Sequence, residues 1–262
     1  RCCTQNGVRG GSATVHFPIW HQEIEDILVL KNNKGSEDNR VRKLDYSIQI
    51  SKLFYERFIK DEDITLFSPH DVPGLYEAFG MPEFDEMYEK YERTYKIPRT
   101  KIRAQRAETG RIYIMNIDHC NTHSSFKDKV YMSNLCQEIT LPTTPLQHID
   151  DEDGEIALCI LSAVNLGLIR DKEDLEELCD LSVRALDEII DYQEYPIEAA
   201  RISAESRRSL GIGYIGLAHY LAKNHLSYGD KEALQLVDET TEAFQYYLLK
   251  ASNTLAQEKG EC

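Results

Sequence analysis

Three side chains capable of chemistry occupy alternate positions in the sequence SNLCQE (133–138). In extended backbone, residues two apart point to the same face. Asn134, Cys136 and Glu138 are therefore predicted to share one face of a strand, with the intervening side chains opposite. A thiol beside a carboxylate and an amide suits nucleophilic or radical chemistry. The alternative is a half-buried cysteine on an edge strand with solvated neighbours.

A second cysteine, Cys159, lies within the apolar sequence IALCIL. A free cysteine behaves as a small hydrophobe and is often fully buried. Spacing alone therefore favours inert packing of Cys159 in a core.

The sequence DHCNTH contains three potential metal ligands, His119, Cys120 and His123. A structural zinc needs four ligands, usually with a second cluster some distance away. No CxxC or HxxxH partner exists elsewhere in the sequence, so no metal site is predicted. The polar residues around these three are instead assigned to a turn.

The sequence GIGYIG (211–216) matches the GxGxxG fingerprint of dinucleotide-binding proteins. That motif has meaning only after a buried strand and before a helix, and SRRS (206–209) is not a strand sequence. The glycines are interpreted as small residues that let a helix pack closely. The rival hypothesis is an NAD-dependent dehydrogenase, which would lose nicotinamide binding on Gly213→Asp substitution.

The first eleven residues, RCCTQNGVRGG, are predicted to form a loop because three glycines within five positions disfavour a regular element. The loop lacks the Lys-Ser/Thr pair of a phosphate-binding P-loop. Gln5 and Arg9 could contact a nucleotide base or phosphate. A solvated loop without a ligand is the alternative.

Composition excludes several classes of protein. A formal charge of −15 and a pI near 5.0 argue against a nucleic-acid surface, which needs a basic face. The longest apolar run, 156–169, is shorter than the roughly 20 residues of a membrane-spanning helix. Seven cysteines without a secretory signal indicate a reducing, cytoplasmic setting.

Hydrophobic periodicity predicts the elements that must position these residues. Strands are predicted at 12–17, 64–67 and 111–117 and within 156–168. Helices are predicted at 23–30, 44–59, 172–193, 207–222 and 231–257, with 82–110 mostly helix or loop and 32–39 a polar loop. Alternating strands and helices indicate an α/β architecture.

Taken together and in this order, these pieces resemble the large subunit of class I ribonucleotide reductase. The matching stretches include CTQNGVRGGSATVHFPIWHQEIEDILVLKNN, NRVRKLDYSIQISKL, ITLFSPHDVPGLYEAF, TGRIYIMNIDHCNTHSSF, SNLCQEITLPTTPL, GEIALCILSAVNLG and RRSLGIG. They cover nearly the whole chain. The resemblance implies a single catalytic domain, a ten-stranded α/β barrel of which residues 1–262 are a fragment incomplete at both ends.

The resemblance implies a role for each matching residue. Cys136, on a finger loop at 133–142, would become a thiyl radical and remove the 3′ hydrogen of the substrate ribose. Glu138 would take the 3′-hydroxyl proton and Asn134 would hydrogen-bond the sugar. Cys159 matches one of two cysteines that reduce the 2′ carbon and end as a disulfide. Its partner belongs to an earlier segment.

The opening loop (1–11) resembles the loop that relays effector identity to the substrate base. Cys3, Gln5 and Arg9 would belong to this allosteric loop. Leu135, Arg9 and Gly10 would join Asn134 and Glu138 in contacting the substrate.

The resemblance also implies partners: ribonucleoside diphosphate substrates, the rest of the large subunit in a homodimer, and a metal-containing small subunit that generates the radical. ATP and deoxynucleotides would act as effectors and a thioredoxin-type protein as reductant, with no cofactor bound by this segment. The region 92–109 is shorter than in the family, as if about two helical turns were missing. A non-catalytic remnant that acts only by assembly is the alternative, and the isolated fragment is expected to be inactive.

Overall fold

The computed structural model describes residues 4–5, 7–31, 41, 43–95 and 112–262. The chain divides into two compact units, Arg1–Pro142 and Thr143–Cys262. The predicted loop at 32–39 and residues 96–109 of the shortened region 92–109 lie outside the described residues. No helix in the described part of the chain is both long and apolar enough to span a membrane.

The first unit is built on a parallel sheet. Its strands are β1 (Thr4–Gln5) and β2 (Arg9–Gly10), an antiparallel pair, and β3 (Thr14–Pro18), β4 (Asp45–Ile50) and β5 (Ile112–Asn116), a parallel sheet in the order β3-β4-β5. Its helices are α1 (Ile24–Val29), α2 (Lys52–Ile59), α3 (Leu75–Ala78), α4 (Phe84–Tyr95) and α5 (Ile117–Thr122).

The two faces of the β3-β4-β5 sheet differ in polarity because side chains alternate along each strand. On one face, Phe17, Ile48 and Ile112 pack against helix α1. The other face carries a polar row, defined here as Thr14, His16, Ser47 and Gln49. Ser47 and Gln49 are almost fully buried, so each needs a hydrogen-bond partner above the sheet.

Next to this sheet, helices α2 and α4 pack on an aromatic core. Its largest members are Trp20, Phe54, Phe67, Phe79, Phe84 and Tyr88. The Tyr88 hydroxyl donates to the carbonyl of Thr65 at 2.7 Å and accepts from the amide of Thr65 at 2.8 Å. This pair fixes the chain between the two helices without leaving a buried polar group unpaired.

The second unit is a two-stranded parallel sheet covered on one side by long helices. It contains β6 (Ile160–Asn165), a 3-10 turn (Leu166–Leu168), α6 (Lys172–Tyr192), α7 (Glu198–Arg207), β7 (Leu210–Ile215), α8 (Leu217–Lys223) and α9 (Lys231–Lys259). Val164, Leu175, Cys179 and Phe244 form the centre of its core. The Asp171 side chain accepts from the amide of Asp174, which confirms the predicted start of helix α6.

The structure corrects several predicted elements. The helix at 44–59 is wrong in its first half, which is strand β4, and right in its second half, helix α2. The helix at 207–222 is wrong in its glycine-rich part, which is strand β7, and right from residue 217 onward, which is helix α8. Residues 64–67 make a single bridge, from Phe67 to His21, instead of a strand. The opening loop contains the β1-β2 pair around Gly7, whose φ is 72°.

The predicted strands at 12–17 and 111–117 and the helices at 23–30, 172–193 and 231–257 are confirmed. The α/β class with parallel strands is therefore confirmed. The ten-stranded barrel stays a prediction, because the described strands form sheets of two, three and two.

An ionic cluster ties three helices of the second unit together at Asp187. Arg208 and Lys259 both bind this buried carboxylate, and Arg208 also bridges to Asp191. Burial pushes the pKa of Asp187 upward, but hydrogen bonds from Arg208 and Lys259 outweigh burial and leave it below the ordinary value. The cluster holds Arg208 in a left-handed conformation, with φ at 46°.

Because the pKa of Asp187 is lowered in the folded state, its stabilisation is present above the unfolded pKa of about 3.9 and is lost as pH falls through the folded value. We expect Asp187→Asn to lower the free energy of unfolding by about 1–3 kcal/mol at neutral pH. The variant should also lose less stability than the parent below about pH 4. Melting of a full-length subunit across this range measures both effects.

Asp180 is the matched control for this experiment, because it lies on the same helix and pairs with Arg184 in a solvent-exposed bridge. Asp180→Asn should cost less than about 0.5 kcal/mol. Equal losses for the two variants would contradict the role given to Asp187.

Candidate active site

The segment that carries Cys136 is a tight turn and not the extended strand predicted above. The amide of Gln137 donates to the carbonyl of Asn134 at 3.2 Å, and the amide of Asn134 donates to the carbonyl of Ile139 at 3.3 Å. The Asn134 side chain accepts from the amide of Ile139 at 3.0 Å. A short polar side chain that bonds its own backbone favours a turn over a strand, and this is the physical reason for the error.

Two of the three groups that were predicted to share a face nevertheless face solvent. Cys136 and Glu138 are exposed, whereas Asn134, Leu135 and Gln137 are half-buried. The predicted shared face of Asn134, Cys136 and Glu138 is therefore confirmed for the last two and wrong for Asn134, whose side chain bonds the amide of Ile139. The thiol of Cys136 is accessible to a ligand, and the interpretation of Cys136 as an edge-strand cysteine is wrong.

The polar row of the sheet holds this turn in place. The Thr14 hydroxyl donates to the carbonyl of Leu135 at 2.7 Å. The Ser47 hydroxyl donates to the side-chain oxygen of Gln137 at 2.6 Å, and the side-chain nitrogen of Gln137 donates to the carbonyl of Ile114 at 2.6 Å. Strands β3, β4 and β5 thus each contribute one hydrogen bond to the residues on either side of Cys136.

The same row supports the segment that leads into the turn. The Gln49 side chain donates to the carbonyl of Tyr131. Sequence reasoning missed Thr14, Ser47, Gln49 and Gln137 as functional residues. The sequence did contain a sign of their role, because two polar residues occupy alternate positions in the otherwise apolar strand sequence DYSIQI.

His16 also belongs to the polar row and lies beneath the turn. Both of its ring nitrogens are sealed from solvent, and neither makes a well-formed hydrogen bond with a described residue. Burial lowers the pKa of His16, and the backbone of Ser133 and Asn134 opposes that shift. A lowered pKa keeps the imidazole neutral at pH 7, so the turn rests on an uncharged ring.

Cys159 lies in the second unit, immediately before strand β6. It is half-buried, and burial raises the pKa of its thiol. A Cβ atom added at Gly211 on the neighbouring strand would lie only 3.1 Å from the sulfur of Cys159 and 2.5 Å from Leu161. The absence of a side chain at Gly211 therefore leaves room for the thiol.

The GxGxxG sequence does not have the geometry of a dinucleotide site. Gly211 and Gly213 lie inside strand β7, and Gly216 comes directly before helix α8 with φ at 76°. The fingerprint requires its first glycine in the turn after a strand. The interpretation of these glycines as part of a packed helix is also wrong for Gly211 and Gly213, because both pair with β6.

The opening loop is placed only in part. Gln5 pairs with Arg9 across the β1-β2 hairpin, and Arg9 and Gly10 are exposed. Cys3 lies outside the described residues. The predicted contacts of this loop with substrate and effector stay predictions.

The sequence DHCNTH forms helix α5 and serves the fold. Asp118 accepts from the amide of Lys52 at 2.8 Å, and the Asn121 side chain bonds the amide and the carbonyl of Val130. Among the residues that the structure describes, no three His, Cys, Asp or Glu side chains are grouped as metal ligands.

Comparison with known proteins gives a consistent result. The sequence model of the family described as "Ribonucleotide reductase, barrel domain" matches residues 1–262. The "Ribonucleoside-diphosphate reductase subunit alpha" of Buchnera aphidicola from Schizaphis graminum is 59% identical over all of this chain. The "Ribonucleoside-diphosphate reductase 1 subunit alpha" of Escherichia coli K12 is 56% identical over all of it. The subunit alpha of Enterobacteria phage T4 is 44% identical over 99%.

The chain spans 36% of the length of each of these relatives. The alignments to the two bacterial proteins are 276 positions long, 14 more than the 262 residues of this chain (276 − 262). In the solved structure of the "Actinobacillus ureae class Id ribonucleotide reductase alpha subunit", the chain aligns with a TM-score of 0.64 at 24% identity. That alignment covers 97% of this chain and 43% of the other, and it shows a shared fold.

Proposed function

Because this chain belongs to the ribonucleotide reductase barrel-domain family, we propose that it is the catalytic segment of the large subunit of a ribonucleoside-diphosphate reductase. Both units would then form part of one ten-stranded α/β barrel. The observation that carries the proposal is the solvent-exposed pair Cys136 and Glu138 on a turn anchored to the sheet.

Each exposed group of the turn has a step in the proposed mechanism. The sulfur of Cys136, as a thiyl radical, takes the 3′ hydrogen of the ribose and returns it after reduction. Glu138 accepts the 3′-hydroxyl proton, as a carboxylate within reach of a substrate hydroxyl can do. Asn134, Leu135, Arg9 and Gly10 would contact the substrate, which requires Asn134 to give up part of its bonding within the turn.

The reduction itself consumes two thiols. The 2′-hydroxyl leaves as water, and Cys159 together with a second cysteine from an earlier segment supplies two electrons and forms a disulfide. The space beside Gly211 supports this role, because the sulfur of Cys159 needs room to approach a partner. A thioredoxin-type reductant would then restore both thiols.

Other components follow from the family. A metal-containing small subunit would supply the radical to Cys136. Cys3, Gln5 and Arg9 would relay the identity of an ATP or deoxynucleotide effector, and the full subunit would be a cytoplasmic homodimer. The alternative of a non-catalytic remnant is less well supported, since the family match covers every residue and the turn is intact.

Replacing Cys159 by serine in a full-length subunit tests this function. Serine cannot form the disulfide, so we expect steady-state reduction of ribonucleoside diphosphates to fall by about 100-fold or more. Substrate binding should change little, because Cys159 acts at the reduction step. Deoxynucleotide formed per enzyme over many turnovers measures the loss.

Cys179 offers the control, because it is a fully buried cysteine of the same unit that packs in the core. Cys179→Ala should retain turnover in proportion to folded protein. Unchanged steady-state rates for Cys159→Ser with a thioredoxin-type reductant would rule out the proposed role of this cysteine.

A further inference from the structure

The residue between the two exposed groups of the turn is fixed through both the oxygen and the nitrogen of its side-chain amide. Gln137 accepts from the buried hydroxyl of Ser47 at 2.6 Å and donates to the carbonyl of Ile114 at 2.6 Å. We propose that Gln137 is a positioning residue that sets the directions of Cys136 and Glu138. This inference rests on the proposed function and deepens it.

The backbone of Gln137 gives an independent reason for such an anchor. Its φ is 68°, a left-handed conformation that residues with a side chain rarely adopt and that persists where the surroundings enforce it. The hydrogen bonds from Ser47 and to Ile114 supply that enforcement. The left-handed residue reverses the chain, so the flanking side chains face solvent while the amide points to the sheet.

A second anchor lies on the other side of the thiol. Thr14 donates to the carbonyl of Leu135, so the backbone is tied to the sheet both before and after Cys136. Ser47 has no exposed surface, which keeps water from competing for its bond to Gln137. A reactive side chain must be held close to its productive geometry, and these two anchors hold the backbone of Cys136 in this way.

The expected consequence is a loss of rate and not of affinity. A hydrogen-atom transfer depends steeply on the distance and direction between the sulfur and the ribose carbon, and a misplacement of about 1 Å can cost 100-fold. Substrate contacts elsewhere on the chain are unaffected. Loosening the anchor should therefore lower kcat and leave KM nearly unchanged.

The experiment uses the full-length large subunit with its small subunit and compares Gln137→Met, Ser47→Ala and the double variant. Methionine has nearly the volume of glutamine but makes neither hydrogen bond. We expect kcat to fall about ten-fold for Gln137→Met, with KM within about two-fold of the parent. The double variant should be no slower than Gln137→Met, because both changes remove the same bond.

Gln22 is the matched control, since it is an exposed glutamine of the same unit, and Gln22→Met should leave kcat unchanged. A parental kcat in Gln137→Met, or rate losses that multiply in the double variant, would overturn the proposal. Gln137→Gly, which tolerates the left-handed backbone but lacks the anchor, should lose kcat as well. Full activity in Gln137→Gly would show that only backbone strain matters.

Amide hydrogen exchange keeps this inference separate from the proposed function. The amides of Gln137 and Ile139 are both bonded inside the turn, and they should exchange faster in Gln137→Met than in Gln22→Met. If the parent enzyme reduced no ribonucleotide, the proposed function would fail while faster exchange would still support the anchor. Equal exchange in the two variants would refute the anchor in either case.

Discussion

Cys136→Ser should abolish ribonucleotide reduction in a full-length large subunit while nucleotide binding stays largely intact. The S–H bond and the ribose C–H bond have similar strengths, so a thiyl radical can take the hydrogen and return it. An O–H bond is much stronger, and a serine in this place cannot enter the cycle. We expect a loss of more than about 1,000-fold in turnover, because removing a group that makes and breaks bonds has effects of that size.

The measurement compares deoxynucleotide formation and equilibrium binding of a ribonucleoside diphosphate for the same preparations. Cys262 is a suitable control, since it is also an exposed free cysteine, and Cys262→Ser should retain turnover. Binding should survive in Cys136→Ser because the anchors at Leu135 and Gln137 do not involve the thiol. Turnover by Cys136→Ser near the parental rate would remove this sulfur from the mechanism.

The exposure of Cys136 and Glu138 could be predicted from the sequence, but the backbone that carries them could not. Alternation in SNLCQE predicted one face for Asn134, Cys136 and Glu138, and of these Cys136 and Glu138 are exposed whereas Asn134 is half-buried. The same alternation implied a strand, whereas Asn134 closes a turn with its own side chain. A local side-chain bond leaves no trace in hydrophobic periodicity.

Strand β4 shows why one element was assigned wrongly. A buried parallel strand is expected to be a continuous apolar run, and DYSIQI breaks that pattern at Ser47 and Gln49. Ser47 binds the turn above the sheet, and Gln49 binds the segment that leads into the turn. The two polar residues that break the apolar pattern of this strand are therefore the ones that support the turn and the segment before it.

The glycines of strand β7 have a comparable origin. Glycine weakens a strand, so LGIGYI did not suggest one, and yet Gly211 pairs with Leu161 beside the sulfur of Cys159. The long helices α6 and α9 were predicted well because each buries one stripe over many turns. Hydrophobic periodicity identifies elements that bury one apolar face. It fails for strands whose residue types are needed for contacts at the candidate site.

The largest expected effect on stability comes from the buried ion pair between helices α2 and α4. Arg57 donates to the two carboxylate oxygens of Glu92 at 2.8 and 2.7 Å, and the Thr65 hydroxyl donates to the same carboxylate. Both charged side chains are less than 10% exposed. Arg57→Ala would remove the cation that bonds both oxygens of this buried carboxylate, and breaking such a pair from one side typically costs about 3–5 kcal/mol.

Native-state hydrogen exchange in a full-length subunit measures this loss at the amides of α2 and α4. Arg93→Ala is the matched control, because Arg93 on α4 pairs with Glu89 in an exposed bridge at 3.5 Å that is worth about 0.5 kcal/mol or less. The double variant Arg57→Met/Glu92→Met should recover most of the stability, since apolar side chains of similar volume can replace a buried pair. A loss in Arg57→Ala as small as in Arg93→Ala would show that water reaches Glu92, and the closed aromatic core around α2 and α4 would then have to be open in solution.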